Sequence, residues 1–533
     1  MRLITILILL ISASLVFAGE PVIAEPTLSE PAKEKNNFDV IEYRVEGNTV
    51  LAREKIEESV YPFLGETKTV EDVELARAAL EKTFHDAGYL TVFVNIPEQD
   101  VGKGVVTLQV QEGKVERLRV LGSRYYSLGV IKERVGEFAE GTVPYFPAVQ
   151  KQLASINASP DRQVAPVLRP GKTPGKVEVD LKVQDKLPLH GNLELNDRYS
   201  YNTTETRLNG SLRYANLWQR DHSIGISFQV APENTDEVKV LSATYVIPTL
   251  AGNYWAAYAV ASRSNIAAVG DISVIGNGNI YGLRYINPLP ALTGYSHSFT
   301  AGVDYKDFKE NVTFGSGTNL GVDINTPIKY MPFLLGYDAT LATGTSNTQL
   351  GLNATFSIRG LGNRSQEFAN KRFLAQPDFA YLRATLKHTQ QIYQGWKVVG
   401  RVAGQVSNDP LIANEQFIVG GADSVRGYFE SNSFGDQGAY GSLELRTPSF
   451  AQYLPKNISE LYALGFYDAG HVRLMDPLPS QTATFTLESS GVGFALKGFS
   501  GFFASLDYAK VRHDAGFVAK GDDRVHFRIG YDW

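Results

Sequence analysis

The sequence predicts two parts, a soluble α+β region followed by an all-β transmembrane barrel of about 16 antiparallel strands. Three observations lead there. The chain opens as an exported protein. No later apolar run is long enough for a membrane helix. From Leu187 to Trp533 the hydrophobic pattern has period two, in segments of roughly ten residues.

Export is read from MRLITILILLISASLVFAGE, where Arg2 precedes an apolar run of roughly 15 residues that closes on Val16-Phe17-Ala18. The run falls short of the ~20 residues an anchor helix needs, so residues 1–18 read as a cleaved signal peptide. The chain has no cysteine, which excludes a lipoprotein anchor, a disulfide framework and thiolate metal sites. A net charge of −6 gives no basic footprint, so no nucleic-acid partner is expected. Abundant Tyr (27), Phe (28) and Gly (49) beside only 3 Met suit a barrel facing outer-membrane lipid.

Residues 19–37 carry prolines at 21, 26 and 31, which break any long helix and point to an extended linker. Residues 38–113 then read strand–helix–helix–strand–strand. FDVIEYRV alternates, LAREKIEESVYPFL and VEDVELARAALEKTFHDAG have helical spacing, and YLTVFVNI and GVVTLQVQEG close the unit. Val73, Ala76, Leu80 and Phe84 share a helix face, His85 sits at its end, and Gly88 stops it. The unit recurs over 114–186: VERLRVLGS, two helical stretches, then RQVAPVLRPG and GKVEVDLKVQD. Two tandem copies of one fold explain this better than two unrelated modules.

In the barrel, DRVHFRIGYDW places Val525, Phe527, Ile529, Tyr531 and Trp533 on one face and His526, Arg528, Gly530 and Asp532 on the other. A soluble sandwich also alternates, but charged faces on nearly every strand and aromatics at strand ends favour a membrane barrel with a polar lumen. Long gaps near 308–326, 360–376, 407–436 and 471–488 alternate with short turns such as WQRD (218–221) and YQG (393–395). Short periplasmic turns and long outer loops are the expected asymmetry. Glycines at 315 and 317, and at 276, 278 and 282, resemble nucleotide-binding loops only superficially; barrel turns explain them better.

The loop 407–436 carries Phe417, Ile418, Val419, Val425 and Tyr428, residues that favour burial, and the cavity available to them is the lumen. Arg426 carried there needs an acceptor. On the following strand Phe466, Asp468 and Gly470 share a face, so Asp468 can pair with Arg426 while Gly470 leaves room for the loop backbone.

These features together resemble the two-partner (type V) secretion transporters, TpsB proteins of the ShlB/FhaC/HecB kind within the BamA-like superfamily. Val425-Arg426-Gly427-Tyr428, after Gly420-Gly421, is similar to that family's sixth-loop signature, and Phe466-Tyr-Asp468-Ala-Gly470 to its partner motif on strand 13. The resemblance implies two periplasmic POTRA domains, 38–113 and 114–186, before a barrel over 187–533 in the outer membrane of a Gram-negative bacterium. It also implies that Arg426 meets Asp468 on the inner wall, and that Trp533 ends the chain as an assembly signal for the barrel-assembly machinery. The implied partner is an unfolded exoprotein, an adhesin or haemolysin with an N-terminal secretion domain, captured by the POTRA domains at edges 90–96 and 162–168 and passed through the pore. Relatives often begin with a plug helix. Here the proline-punctuated 19–37 is either a short plug or none, with the sixth loop occluding the lumen.

An assembly insertase of the same superfamily is the main alternative, though such relatives carry more POTRA domains. A passive channel lacks the POTRA pair. No Gly-x-Ser-x-Gly, HExxH or P-loop occurs, so no enzyme, cofactor or metal is expected. Arg426→Ala is expected to spare the barrel and impair secretion, charge reversal at Asp468 to act similarly, and exchanging the two charges to restore function in part.

Overall fold

The computed structural model describes residues 37–533 apart from 250, 265–266, 270–271, 275, 310, 315–321 and 480. The stretch read as a signal peptide (1–18), the stretch read as a linker up to residue 36, and Gly315 and Gly317 therefore lie outside the described residues. Contacts divide the chain into two units, one holding residues up to 117 with 137–149 and 168–178, the other 118–136, 150–167 and 179–533.

In the first unit, Glu42–Glu46, Val105–Glu112 and Val92–Asn95 form a three-stranded sheet with Val105–Glu112 central and Val92–Asn95 on an edge. The helix Val70–Asp86 covers it because Val73, Ala76, Leu80 and Phe84 fall on one buried stripe, from which Val73, Leu80 and Phe84 share a core with Val92, Val94, Val106, Leu108 and Val110. Its start is set by a capping box. The Thr69 hydroxyl accepts from Asp72 N at 3.3 Å while the Asp72 carboxylate accepts from Thr69 N at 2.8 Å. Its end is set at Gly88, whose φ of +97° suits glycine. The run FDVIEYRV does not form one strand. Ile41 N and Glu42 N both donate to Gly104 O, so Phe38–Val40 turns away to pair with Gly65–Lys68.

A second three-stranded sheet follows, ordered Lys114–Leu121, Lys176–Asp185, Arg162–Pro170, with helices Leu128–Arg134 and Phe146–Ile156 between its strands in sequence.

The barrel is closed, antiparallel and built from sixteen strands among the described residues. In chain order these are β1 (Leu189–Asn196), β2 (Arg207–Leu217), β3 (His222–Val230), β4 (Lys239–Pro248), β5 (Tyr254–Arg263), β6 (Gly278–Pro288), β7 (Tyr295–Phe308) and β8 (Ile328–Tyr330 continued by Pro332–Ala342). They continue as β9 (Ser346–Ser357), β10 (Ala380–Gln391), β11 (Lys397–Ser407), β12 (Gln437–Arg446), β13 (Ile458–Arg473), β14 (Thr484–Gly498), β15 (Phe502–Val511) and β16 (Asp523–Asp532), which returns to β1. Closure is obligatory in lipid, which offers no partner to an open strand edge. The two faces separate as the alternation demands. Leu212, Ile226, Leu241, Leu443, Phe494 and Ile529 are exposed outward, while Arg207, Gln229, Asp304, Gln405, Glu444 and Asp468 are buried. Gly278 and Gly282 serve packing within β6: a Cβ at Gly282 would stand 2.1 Å from the Tyr258 ring.

The turn 218–221 has left-handed backbone at Trp218, Gln219 and Asp221, and Asp221 receives both Arg134 and Arg162, the latter through bonds of 3.1 and 3.2 Å. At the other end the loops are more structured than their sequence signals. Residues 358–379 contain the helix Ser365–Lys371, and 408–436 contain a small hairpin, Phe417–Val419 with Ser433–Gly435. The gap expected at 471–488 shrinks to 474–483, because β13 and β14 extend past the membrane-facing alternation.

Leu80→Ala would remove a fully buried side chain and destabilise the first sheet–helix unit by about 2–5 kcal/mol. Limited proteolysis of the full chain should then clip residues 38–113 at lower denaturant, while the barrel keeps its resistance to heat and detergent.

Candidate functional site

Between β11 and β12 the chain does not stay outside the barrel. The hairpin Phe417–Val419/Ser433–Gly435 carries residues 420–432 against the inner wall. Gly420 and Gly421 hold φ of +115° and +107°, which only glycine adopts without strain, and a Cβ on Gly421 would stand 2.2 Å from the Glu430 carboxylate. The turn presents Val425-Arg426-Gly427-Tyr428 as its tip, and all four are buried.

Val425 packs with Val419, Val472, Leu487 and Val511. Tyr428 has no exposed surface; its hydroxyl donates to His513 O at 2.6 Å and accepts from Glu488 N at 3.0 Å. Gly427, at φ +91°, lies against Val511 and Ala509 where an added Cβ would come within 3.2 Å. Gly470 on β13 matters for the same reason: a Cβ there would meet Val419 at 2.6 Å and Val425 at 3.1 Å. The loop seats because these two glycines are flat.

Arg426 sits at the centre. Its Nε and Nη2 donate to the two oxygens of Asp468 at 2.7 and 2.9 Å, a bidentate pair, and its backbone N–H reaches Asp468 at 3.2 Å. Nη2 also donates to the Ser442 hydroxyl at 3.2 Å, and the guanidinium carbon lies 3.4 Å from the Phe466 ring centroid. Two further carboxylates close the shell, Glu444 on β12 at 3.1 Å and Asp507 on β15 at 3.4 Å. Glu444 is itself held by Arg401 and Arg446 at 2.9 and 2.6 Å. Three guanidinium groups thus meet three carboxylates, which is how a charge cluster this buried is tolerated. Exchanging Arg426 and Asp468 would set a carboxylate at position 426 beside Glu444 and Asp507, a geometry that argues against the partial rescue expected from the two-residue pairing.

Gly427 N donates to His526 Nε2 at 2.9 Å, and the other ring nitrogen of His526 meets Asp197 at 3.0 Å. Trp533, by contrast, is half-exposed and lies just past the end of β16, its backbone exchanging hydrogen bonds with Gly191. Beneath the tip lies a cavity of about 920 Å³ whose wall includes Arg198, Arg401, Glu444, Arg446, Asp507 and Arg528.

Above the tip the lumen is filled. Phe368 of the 358–379 loop and Leu411 and Ile412 of the 408–436 loop pack on Val240, Val260, Ile280, Phe308 and Tyr330. Glu415, buried there, accepts from Lys306 at 2.6 Å, Tyr330 at 2.5 Å and Tyr381 at 2.8 Å. Asp436, wholly buried, gathers Arg372, Leu411 N and Met475 N, joining three outer loops. Sequence reasoning passed over Glu444, Asp507, Glu415 and Asp436. The first two had a signal: each is a lone acid between apolar neighbours on the inward parity of its strand. The loop acids had none.

Comparison with known proteins agrees with this architecture. Residues 175–496 match the family described as haemolysin secretion/activation protein ShlB/FhaC/HecB, and residues 38–113 match the POTRA domain, ShlB-type. The chain is 23% identical over 482 residues to the outer membrane transporter CdiB of Dickeya dadantii, covering 85% of this chain and 79% of that protein. It is 18% identical over 465 residues to the heme/hemopexin transporter protein HuxB of Haemophilus influenzae, covering 84% and 79%. Among solved structures, CdiB from Escherichia coli superposes with a TM-score of 0.62 at 18% identity, covering 95% of this chain and 93% of that one. BamA from Haemophilus ducreyi lacking POTRA domains 1–3 gives 0.55 at 12% identity, covering 93% and 100%. Taken with the closed sixteen-stranded barrel and its POTRA region, the match over more than half its length means that the chain belongs to the ShlB/FhaC/HecB haemolysin secretion/activation family, outer-membrane transporters for a secreted partner protein with their POTRA domains in the periplasm.

Proposed function

We propose that this transporter exports one dedicated large exoprotein, an adhesin or haemolysin with an N-terminal secretion domain, as an extended chain through the barrel. The observation that carries the reading is the seating of Arg426 inside the lumen among Asp468, Glu444 and Asp507.

In this reading residues 114–186 form a second POTRA domain, and both domains capture the unfolded partner by strand addition. Val92–Asn95 and Arg162–Pro170 are the edge strands of their sheets. Side chains hold part of each edge, with Glu81 accepting from Val94 N at 3.0 Å and Asn157 from Val164 N at 2.7 Å, so an added strand would displace them. The partner enters the cavity beneath the loop tip, and folding outside gives the movement its direction. Neither Arg426 nor Asp468 makes or breaks a bond. They hold the 408–436 loop in the state from which transport proceeds, and Trp533 marks the final strand for the barrel-assembly machinery.

The test compares culture supernatant and outer membrane for wild type, a deletion and Arg426→Ala. One very large protein should vanish from the supernatant in the deletion and fall severalfold in Arg426→Ala, with other barrels at normal abundance. A parallel fall of many barrels would instead indicate an assembly insertase.

Removing Arg426 leaves Asp468 buried without its ion-pair partner, while Glu444 keeps Arg401 and Arg446, a penalty of about 3–5 kcal/mol on the seated loop. Surface protease added to intact cells should then cut the loop in Arg426→Ala. Asp468→Arg should behave alike, and combining it with Arg426→Asp should fail to restore secretion because Glu444 and Asp507 stay in place. Gly470→Val should unseat the loop by bulk alone, with the charges untouched; a loop still protected from protease in that variant would contradict the packing account.

A further inference from the structure

The pairing that closes the barrel is unlike the others. β16 pairs with β15 along nearly its whole length, from Asp523 to Tyr531, and β1 pairs with β2 from Leu189 to Asn196. Yet β16 meets β1 only where 528–532 face 192–196. On its β1 side, the outer half of β16, residues 523–527, has no strand beside it. What stands there is the segment following β1. Phe527 N donates to Asp197 Oδ1 at 2.8 Å, and Asp197 N reaches Phe527 O at 3.3 Å.

His526 ties this half-open seam to the loop tip. A backbone N–H can only donate, so His526 Nε2 accepts from Gly427 N at 2.9 Å, and Nδ1 carries the proton that Asp197 Oδ2 receives at 3.0 Å. Both His526 and Asp197 are buried, at 5% and 6% exposure, so neither has water as a substitute partner. One ring thereby joins three pieces of chain that no strand pairing joins: the loop tip, the segment after β1, and β16. Neighbouring contacts follow the same path. Glu430 N donates to Tyr199 O at 3.1 Å, and the Arg524 guanidinium lies 3.7 Å from the Phe429 ring and 4.8 Å from that of Tyr199.

We propose that His526, with Asp197, is a positioning residue that couples the seating of the 408–436 loop to closure of the β1–β16 seam. While the tip is seated, its Gly427 N–H fixes the His526 ring and so holds Asp197 against β16. When the tip withdraws, His526 Nε2 loses its donor and the outer half of the seam loses its buried support. Coupling of this kind is reciprocal: loosening the seam also weakens the seat of the loop. The inference rests on the reading of this loop as a seated lock, and adds that the lock acts on the barrel's closing joint and not on the β13 wall alone.

The absence of native cysteine permits a direct test on the full chain in outer membranes. Leu193→Cys with Tyr531→Cys, register partners on the outward face, reports the seam; Leu443→Cys with Tyr467→Cys, partners across β12 and β13, reports an ordinary joint. Adding His526→Ala should lower the seam crosslinking yield about fivefold or more, leave the β12–β13 yield unchanged, and expose the loop to surface protease. His526→Gln, which keeps one acceptor and one donor, should restore much of both. Arg426→Ala should lower the seam yield through release of the loop. A seam yield unchanged in His526→Ala, or a fall shared equally by the β12–β13 pair, would overturn the coupling. So would an Arg426→Ala loop that protease cuts while the seam stays intact. If Arg426→Ala leaves the loop protected, the lock reading fails by itself, and the seam yield of His526→Ala still decides whether the histidine holds the joint.

Discussion

A guanidinium carried into the middle of a protein must find its counter-charges there, and this requirement organises the barrel. Arg426 is buried with Asp468, Glu444 and Asp507 around it, and Glu444 is shared with Arg401 and Arg446. These groups come from β11, β12, β13 and β15 and from one loop. The cluster therefore depends on four strands holding their register, and the loop depends on the cluster. Val425 packs against the wall at Gly470, and the Tyr428 hydroxyl bonds His513 O and Glu488 N, so shape and directed bonds support the same seat. The charge arrangement selects one seat, as directed and bidentate pairs do.

Around that seat the lumen is layered. Outward of the tip, Phe368, Leu411 and Ile412 fill the bore, with Glu415 and Asp436 tying the outer loops together. Inward of it lies a cavity of about 920 Å³ whose wall carries charges of both signs. A polypeptide approaching from the periplasm meets the open layer first and the seated loop next. For a transporter this order is useful: the substrate is inside the barrel before the seal is disturbed.

Much of the architecture was legible in the chain. Alternation in DRVHFRIGYDW and its counterparts gave the barrel wall, because period two is imposed by the pleat itself and needs no knowledge of partners. The helix stripe Val73-Ala76-Leu80-Phe84 was equally plain, being local by nature. FDVIEYRV misled for the opposite reason: its split into two strands comes from the distant Gly104 carbonyl, which takes both Ile41 N and Glu42 N. The helix Ser365–Lys371 was missed because seven residues are too few to establish a period, and its one buried anchor, Phe368, packs against residues from other loops and strands.

At the site, the sequence by itself determined the inventory: glycines where the backbone turns left-handed or a wall must be flat, one arginine in an apolar tip, an acid on the inward parity of β13. Those are properties of single residues and short spacings. The tertiary structure decided the partners. Asp468, Asp507 and His526 lie 42, 81 and 99 residues from the tip residues they bind, and only strand register and barrel closure bring them within 3.4 Å. The sequence could name Asp468 because it stood beside a recognisable glycine. It could not count three carboxylates or find the histidine, because which inward side chains meet across a lumen is set by how sixteen strands close, and no local pattern records that closure.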